Sequence, residues 1–184
     1  MKARITNQLA RSAFARLFLA GLLGLTVICW CVGSAHATSE QSRVAVTCVP
    51  DEDTAASSFD ASLTNGKITF QGTTTGSIYF YCPFVNPEDD GNPDWNALFL
   101  TNKDTGTVGL VEAKLYRKQR SNGAAYLVTT LTSTTNVNVK EEWKELPVSL
   151  DFQNNAYWVR VRLYRSATTE SPEFHSVSLG YQLF

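Results

Sequence analysis

Between residues 157 and 165 every second side chain is apolar or aromatic: Tyr157, Val159, Val161 and Leu163 alternate with Trp158, Arg160, Arg162 and Tyr164. A period of two puts the first set on one face of an extended strand and the second set on the other. A helix would scatter both sets around its axis. The same alternation recurs through the chain after residue 38. It predicts strands over 43–49, 67–71, 77–84, 95–101, 108–118, 125–133, 147–152, 157–165 and 174–183, about nine in all. Asn65-Gly66, Ser121-Asn122-Gly123 and Asn154-Asn155 stand between them as turns. In 77–84, Ile78, Phe80, Cys82 and Phe84 share one face, with Tyr79 and Tyr81 on the other. In 108–118, Gly109, Val111, Ala113 and Leu115 oppose Glu112, Lys114, Tyr116 and Lys118. Only Lys140–Leu146 carries a helical hint, with Trp143 and Leu146 three apart and Pro147 as a stop; one helical turn or a loop is expected there. Short strands at regular intervals predict an all-β fold, an antiparallel β-sandwich of jelly-roll-like kind in a single domain. An immunoglobulin domain would place a Trp between its paired cysteines, and none lies between Cys48 and Cys82. Glu112–Arg117 and Arg160–Arg165 both end in Leu-Tyr-Arg, which reads as two similar hairpins rather than a repeat array.

The first 37 residues have a different character. Lys2, Arg4, Arg11 and Arg16 precede an apolar run from Leu17 to Gly33, and Ala35-His36-Ala37 supplies small residues for cleavage. That is the layout of a secretory signal peptide, so residues 1–37 are expected to be removed and 38–184 to form the domain. A membrane anchor is the competing reading, but the run is interrupted by Gly21, Gly24 and Thr26 and is short for a bilayer span. Ile28 and Trp30 precede Cys29 and Cys31, where a lipoprotein signal wants small residues. The expected address is the periplasm or the extracellular medium, with no membrane span after cleavage.

Four of the 16 Lys and Arg leave with the leader, so the remaining domain sets 12 against 17 Asp and Glu, a net charge of −5. That sign gives no long-range attraction to phosphate backbones and argues against nucleic acid as a partner. Cys48 and Cys82 remain, and an even pair in an exported domain predicts a disulfide. Buried free thiols are the alternative. Metal binding by the pair lacks a third soft ligand, since the one histidine after the leader is His175.

Three regions are candidates for function. The loop from Asn86 to Asp94 offers Glu88, Asp89, Asp90 and Asp94 as oxygen ligands for calcium, with Asp51, Glu52 and Asp53 as further acids. Its spacing does not match an EF-hand, and its composition is also that of an ordinary solvated turn, so no cofactor is the leading expectation. The second candidate is the non-core face carrying Trp158, Arg160, Arg162 and Tyr164, with Tyr116 and Lys114 on the comparable face of the sister strand. Flat amphipathic rings beside guanidinium donors suit a glycan or a protein partner. The plain reading is cross-strand pairing for stability. The third candidate is catalysis, for which the chain is poorly equipped. His175 lies in a simple strand pattern, and no phosphate loop or HExxH motif is present. Glu112 and Asp151 are the strand-embedded acids that a two-carboxylate hydrolase of envelope polysaccharide would use.

Thr47-Cys-Val-Pro-Asp51, Gly76-Ser-Ile-Tyr-Phe-Tyr-Cys-Pro83, the two Leu-Tyr-Arg strands and Ser171-Pro-Glu-Phe-His-Ser-Val-Ser-Leu-Gly180 resemble a group of uncharacterised exported bacterial β-proteins. The resemblance implies a Gram-negative exported domain with a Cys48–Cys82 bridge, and it implies no activity. The combined expectation is a secreted or periplasmic β-sandwich with a binding or structural role and no catalysis. A polysaccharide hydrolase and a structural subunit of an envelope assembly are the alternatives.

Overall fold

The computed structural model describes residues 40–52, 61–86 and 92–183, all within the unit Thr38–Phe184. The expected signal peptide, 1–37, lies outside the described residues. Among the described residues eleven strands are present: β1 Gln41–Val44, β2 Val49–Pro50, β3 Ala61–Thr64, β4 Lys67–Phe70, β5 Gly76–Phe84, β6 Ala97–Asp104, β7 Leu110–Gln119, β8 Ala125–Thr132, β9 Asn136–Glu145, β10 Asn155–Arg165 and β11 Glu173–Gly180. They form an antiparallel β-sandwich. One sheet runs β3-β4-β11-β6-β9, with β1 also on β11; the other runs β2-β5-β10-β7-β8. No helix among the described residues is long and apolar enough to cross a membrane.

The alternation of the central strands becomes the core directly. Across β5, β10 and β7 the register aligns Ile78, Leu163 and Val111, then Phe80, Val161 and Ala113, then Cys82, Val159 and Leu115. All are buried, and each fully buried Val or Leu stabilises the fold by roughly 1.5–3 kcal/mol. Ala113 is the small partner in the row that holds Phe80. The opposing sheet supplies Ile68, Leu98, Leu100, Phe174, Val177 and Leu179.

Four departures from the expected strands have physical causes. The segment 43–49 is not one strand. A 3-10 turn at Ala45–Thr47 carries the chain from β1 in one sheet to β2 in the other, so its alternation serves two layers. β3 goes beyond the expected set; it pairs with β4 across Asn65 and Gly66, whose φ values of 55° and 78° make the left-handed pair a two-residue hairpin needs. Lys140–Leu146 is not a helical turn, since all but its last residue belong to β9. β9 is an edge strand with most side chains exposed, so it shows no one-sided apolar stripe. Finally, 147–152 is irregular. Leu150 and Phe152 are buried as anchors, with the Phe152 N–H donating to Asn92 Oδ1 at 2.8 Å and the Asp151 N–H to Tyr157 Oη at 2.9 Å.

Cys48 and Cys82 are joined, with S–S 2.04 Å and both residues buried. The closed loop of about 35 residues stabilises the domain by roughly 3–4 kcal/mol in the chain-entropy account. The bond also ties the start of β2 to β5.

Candidate functional site

β10 lies between β5 and β7, so the sister strands are neighbours. The register sets Trp158 opposite Tyr116 and Pro83, Arg160 opposite Lys114 and Tyr81, Arg162 opposite Glu112 and Tyr79, and Tyr164 opposite Leu110 and Ser77. Because the odd residues of β10 are buried, Trp158, Arg160, Arg162 and Tyr164 stand half-buried on the outer face. The five residues singled out by sequence therefore share one continuous surface, joined by Tyr79 and Tyr81. Those two tyrosines are visible in the sequence as the non-core face of their strand. Their place beside β10 is not, because periodicity carries no strand order.

The side chains are arranged in pairs. Tyr116 and Trp158 stack on each other, with centroids 5.4 Å apart and planes 12° from parallel. Each ring spends one face on the other, as a cross-strand stability pair does. The Arg160 guanidinium lies 4.0 Å from the Tyr79 centroid, and Arg162 lies 5.0 Å from that of Tyr164. Arg162 Nε donates to Ser77 Oγ at 2.9 Å. Glu112 is paired with Lys114 at 2.9 Å. Asp51 reaches the same face from the end of β2, with Oδ2 at 3.8 Å from Arg160 Nη2. Among the described residues, the Arg160 Nε atom is buried without a hydrogen-bond partner. Stacked arginines of this kind keep their planes fixed and offer edge donors to a third group.

A second polar cluster lies where β7 begins and β10 ends. Glu170 accepts from the N–H groups of Val108, Gly109, Ser166 and Ala167 and from Ser166 Oγ. Burial works to raise its pKa, but these donors outweigh it and hold the carboxyl below its ordinary value. Glu142 is buried among Thr134, Asn102 and Lys140, which likewise outweigh burial and lower its pKa. The hydroxyl of Thr134 donates to Glu142 in a short contact. Asp104 accepts from Ser133 Oγ at 2.8 Å and from the Gly106 N–H at 3.3 Å. Burial raises its pKa despite those bonds, and the charges of Glu170 and Glu142 add to the rise.

The acids that a two-carboxylate hydrolase would use are not brought together. Asp151 lies in a turn, not a strand. Hydrogen bonds from Asn154 lower its pKa, with burial working against them. Its carbonyl accepts from the Asn155 N–H, and Asn155 is opposite Gln119 on β7. Glu112 is seven residues further along β7, about 23 Å at strand rise. Glycosidic carboxylates sit about 5–10 Å apart. His175 Nε2 lies 3.2 Å from Glu173 Oε2, a carboxylate that Lys67 and Lys103 also flank. Burial works to raise the Glu173 pKa, and these neighbours hold it low. Of the calcium candidates, Glu88, Asp89, Asp90 and Asp53 lie outside the described residues, and Asp94 is exposed. Among the described residues no group of three His, Cys, Asp or Glu is placed to hold a metal ion.

No family model matches the chain, and no curated protein matches it. Similar solved structures include the CBM36-1 domain of a multidomain xylanase from the hindgut metagenome of Trinervitermes trinervoides, at 7% identity and a TM-score of 0.47, covering 79% of this chain and 100% of that one. Another is the low affinity xylan binding module CBM86 from Roseburia intestinalis, at 12% identity and 0.39, covering 77% and 94%. A carbohydrate binding module of family 29 aligns at 9% identity and 0.35, covering 77% of each chain. At such identities and scores these likenesses carry no functional argument.

Proposed function

We propose that residues 38–184 act as an exported, non-catalytic binding module whose contact surface is the outer face of the five-stranded sheet. The partner is a glycan. The observation that supports this reading is the placement of Tyr116, Trp158, Arg160, Arg162 and Tyr164, with Tyr79 and Tyr81, on one continuous half-exposed surface. Aromatic rings offer apolar area to the C–H faces of sugar rings, and guanidinium edges donate to hydroxyls. The face is not strongly charged, because Glu112 and Asp51 lie beside Lys114 and Arg160. That suits a ligand recognised by hydrogen bonds and stacking rather than by net charge.

The test is the double variant Trp158→Ala with Tyr164→Ala on a glycan array. Retention is expected to be lost while Tm falls by no more than about 10 °C, since the Trp158 stack on Tyr116 and the Tyr164 contact with Arg162 contribute roughly 0.5–1.5 kcal/mol each beyond area burial. A much larger loss of stability with unchanged retention would assign both rings to packing.

A further inference from the structure

Next to Arg160 the outer face opens into a recess of about 320 Å³, lined among the described residues by Asp51, Glu52, Tyr81 and Arg160. That volume falls at the lower end of the range for small-ligand sites, about 300–1,000 Å³. Strand pairing explains why these residues meet. β2 is two residues long, with Val49 opposite Tyr81 and Pro50 opposite Phe80. Asp51 then donates its N–H to the Tyr79 carbonyl at 3.1 Å, and the Cys48–Cys82 bond holds the start of the segment against β5. An acidic residue distant in sequence is thereby fixed beside a β10 arginine.

The chemistry of the lining selects a ligand class. Asp51 and Arg160 approach to 3.8 Å, longer than a direct hydrogen bond of about 2.7–3.2 Å. The Tyr79 ring beneath Arg160 fixes the guanidinium plane, and Nη2 is the guanidinium nitrogen that faces Asp51. A carboxylate accepts about four hydrogen bonds, so Asp51 can serve a ligand alongside its protein contacts. Two carboxylates against one guanidinium give the lining an excess negative charge, which disfavours a uronate or phosphate. A cation would meet Arg160. Adjacent hydroxyls meet neither obstacle, because each donates and accepts.

We infer that this recess is a subsite for a neutral sugar ring, whose neighbouring hydroxyls donate to Asp51 and accept from Arg160 while Tyr81 forms a wall. The inference rests on the glycan-contact reading of the same sheet face, and it adds Asp51 and Tyr81 as specificity-determining residues.

Calorimetry with the purified protein tests it. The neutral probes are hexasaccharides of glucose, xylose, mannose and N-acetylglucosamine, and the anionic probe is hexagalacturonate. At least one neutral hexasaccharide is expected to bind. Asp51→Asn, which keeps the side-chain size, should weaken that binding at least about tenfold, the scale of one charge-assisted hydrogen bond. Tyr81→Ala, at a 37% exposed position, should weaken it too and serves as the test should Asp51→Asn lower Tm. Binding abolished by Trp158→Ala with Tyr164→Ala, but unchanged in Asp51→Asn and Tyr81→Ala, would overturn the recess assignment and leave the sheet face standing. Tighter binding of hexagalacturonate than of every neutral probe would also overturn it. Failure of all five probes to bind the unsubstituted protein would defeat the glycan reading itself, and this subsite with it.

Discussion

Glu170 and Arg160 are both charged groups of the same sandwich, and their surroundings differ in kind. Glu170 is buried, and five donors from two loops converge on its two oxygens. Arg160 is about a third exposed at its side chain, rests on an aromatic ring, and meets its acid at 3.8 Å. A buried charge is tolerated only when its hydrogen bonds are complete, so the donors around Glu170 are part of the fold. A half-exposed charge can leave directions open because water fills them, and a ligand can take the place of that water. The contrast separates charge that holds loops together from charge that is available for contact.

The largest expected effect tests the first half of that contrast. Glu170→Ala leaves the Val108, Gly109, Ser166 and Ala167 N–H groups without their acceptor. The expected loss is about 2–3 kcal/mol, measured by urea unfolding, with glycan retention at the outer face unchanged in the folded fraction. A loss below about 0.5 kcal/mol would mean that water replaces the carboxylate and that the cluster is not structural.

How much of this was legible in the sequence depends on which residues are asked about. Val159, Val161 and Leu163 were readable as core, and Trp158, Arg160, Arg162 and Tyr164 as the opposite face, because burial on one side of a strand imposes a period of two. β9 was not readable as a strand, since an edge strand exposed on both faces has no such period. Leu150 and Phe152 produced the reverse error, as buried anchors of an irregular segment look like strand residues. The meeting of Asp51 with Arg160 depends on β2 pairing with β5 and β5 with β10, and strand order leaves no trace in local patterning. The Glu170 cluster was invisible for another reason. Its donors are mostly backbone N–H groups, which every non-proline residue has.

A smaller effect of opposite sign sharpens the account of the carboxylates. The lowered pKa values of Glu142 and Glu170 mean that their stabilisation is present above the unfolded value of 4.5 and is lost as pH falls through the depressed folded values. Asp104 runs the other way. Its raised pKa means that ionisation is harder in the folded protein, so it lowers stability as pH rises past the unfolded value of 3.8 and through the folded one. Asp104→Asn keeps an acceptor for one of its two donors, Ser133 Oγ or the Gly106 N–H, and removes the repulsion from Glu170 and Glu142. At pH 7 it should raise Tm by less than about 4 °C, the shift produced by about 1 kcal/mol, and the difference should vanish below the unfolded value. A marked fall in Tm at pH 7 would show that the fold requires ionised Asp104, as it would if a cation were held there.

The smallest expected change in stability belongs to Arg162→Lys on the outer face. Lysine keeps the positive charge but has no planar fork. It cannot reproduce the Nε bond to Ser77 together with the contact over Tyr164. One partly exposed hydrogen bond and one half-buried cation–π contact are together worth roughly 1–2.5 kcal/mol, and lysine keeps part of both, so the expected loss is about 1 kcal/mol. Chemical denaturation should therefore change little. Glycan retention should fall more, because a guanidinium edge offers paired donors that an ammonium lacks. If instead stability fell by about 2 kcal/mol and retention were untouched, Arg162 would belong with Glu170 as a group that holds the fold together. The two charged sites would then differ in exposure but not in role.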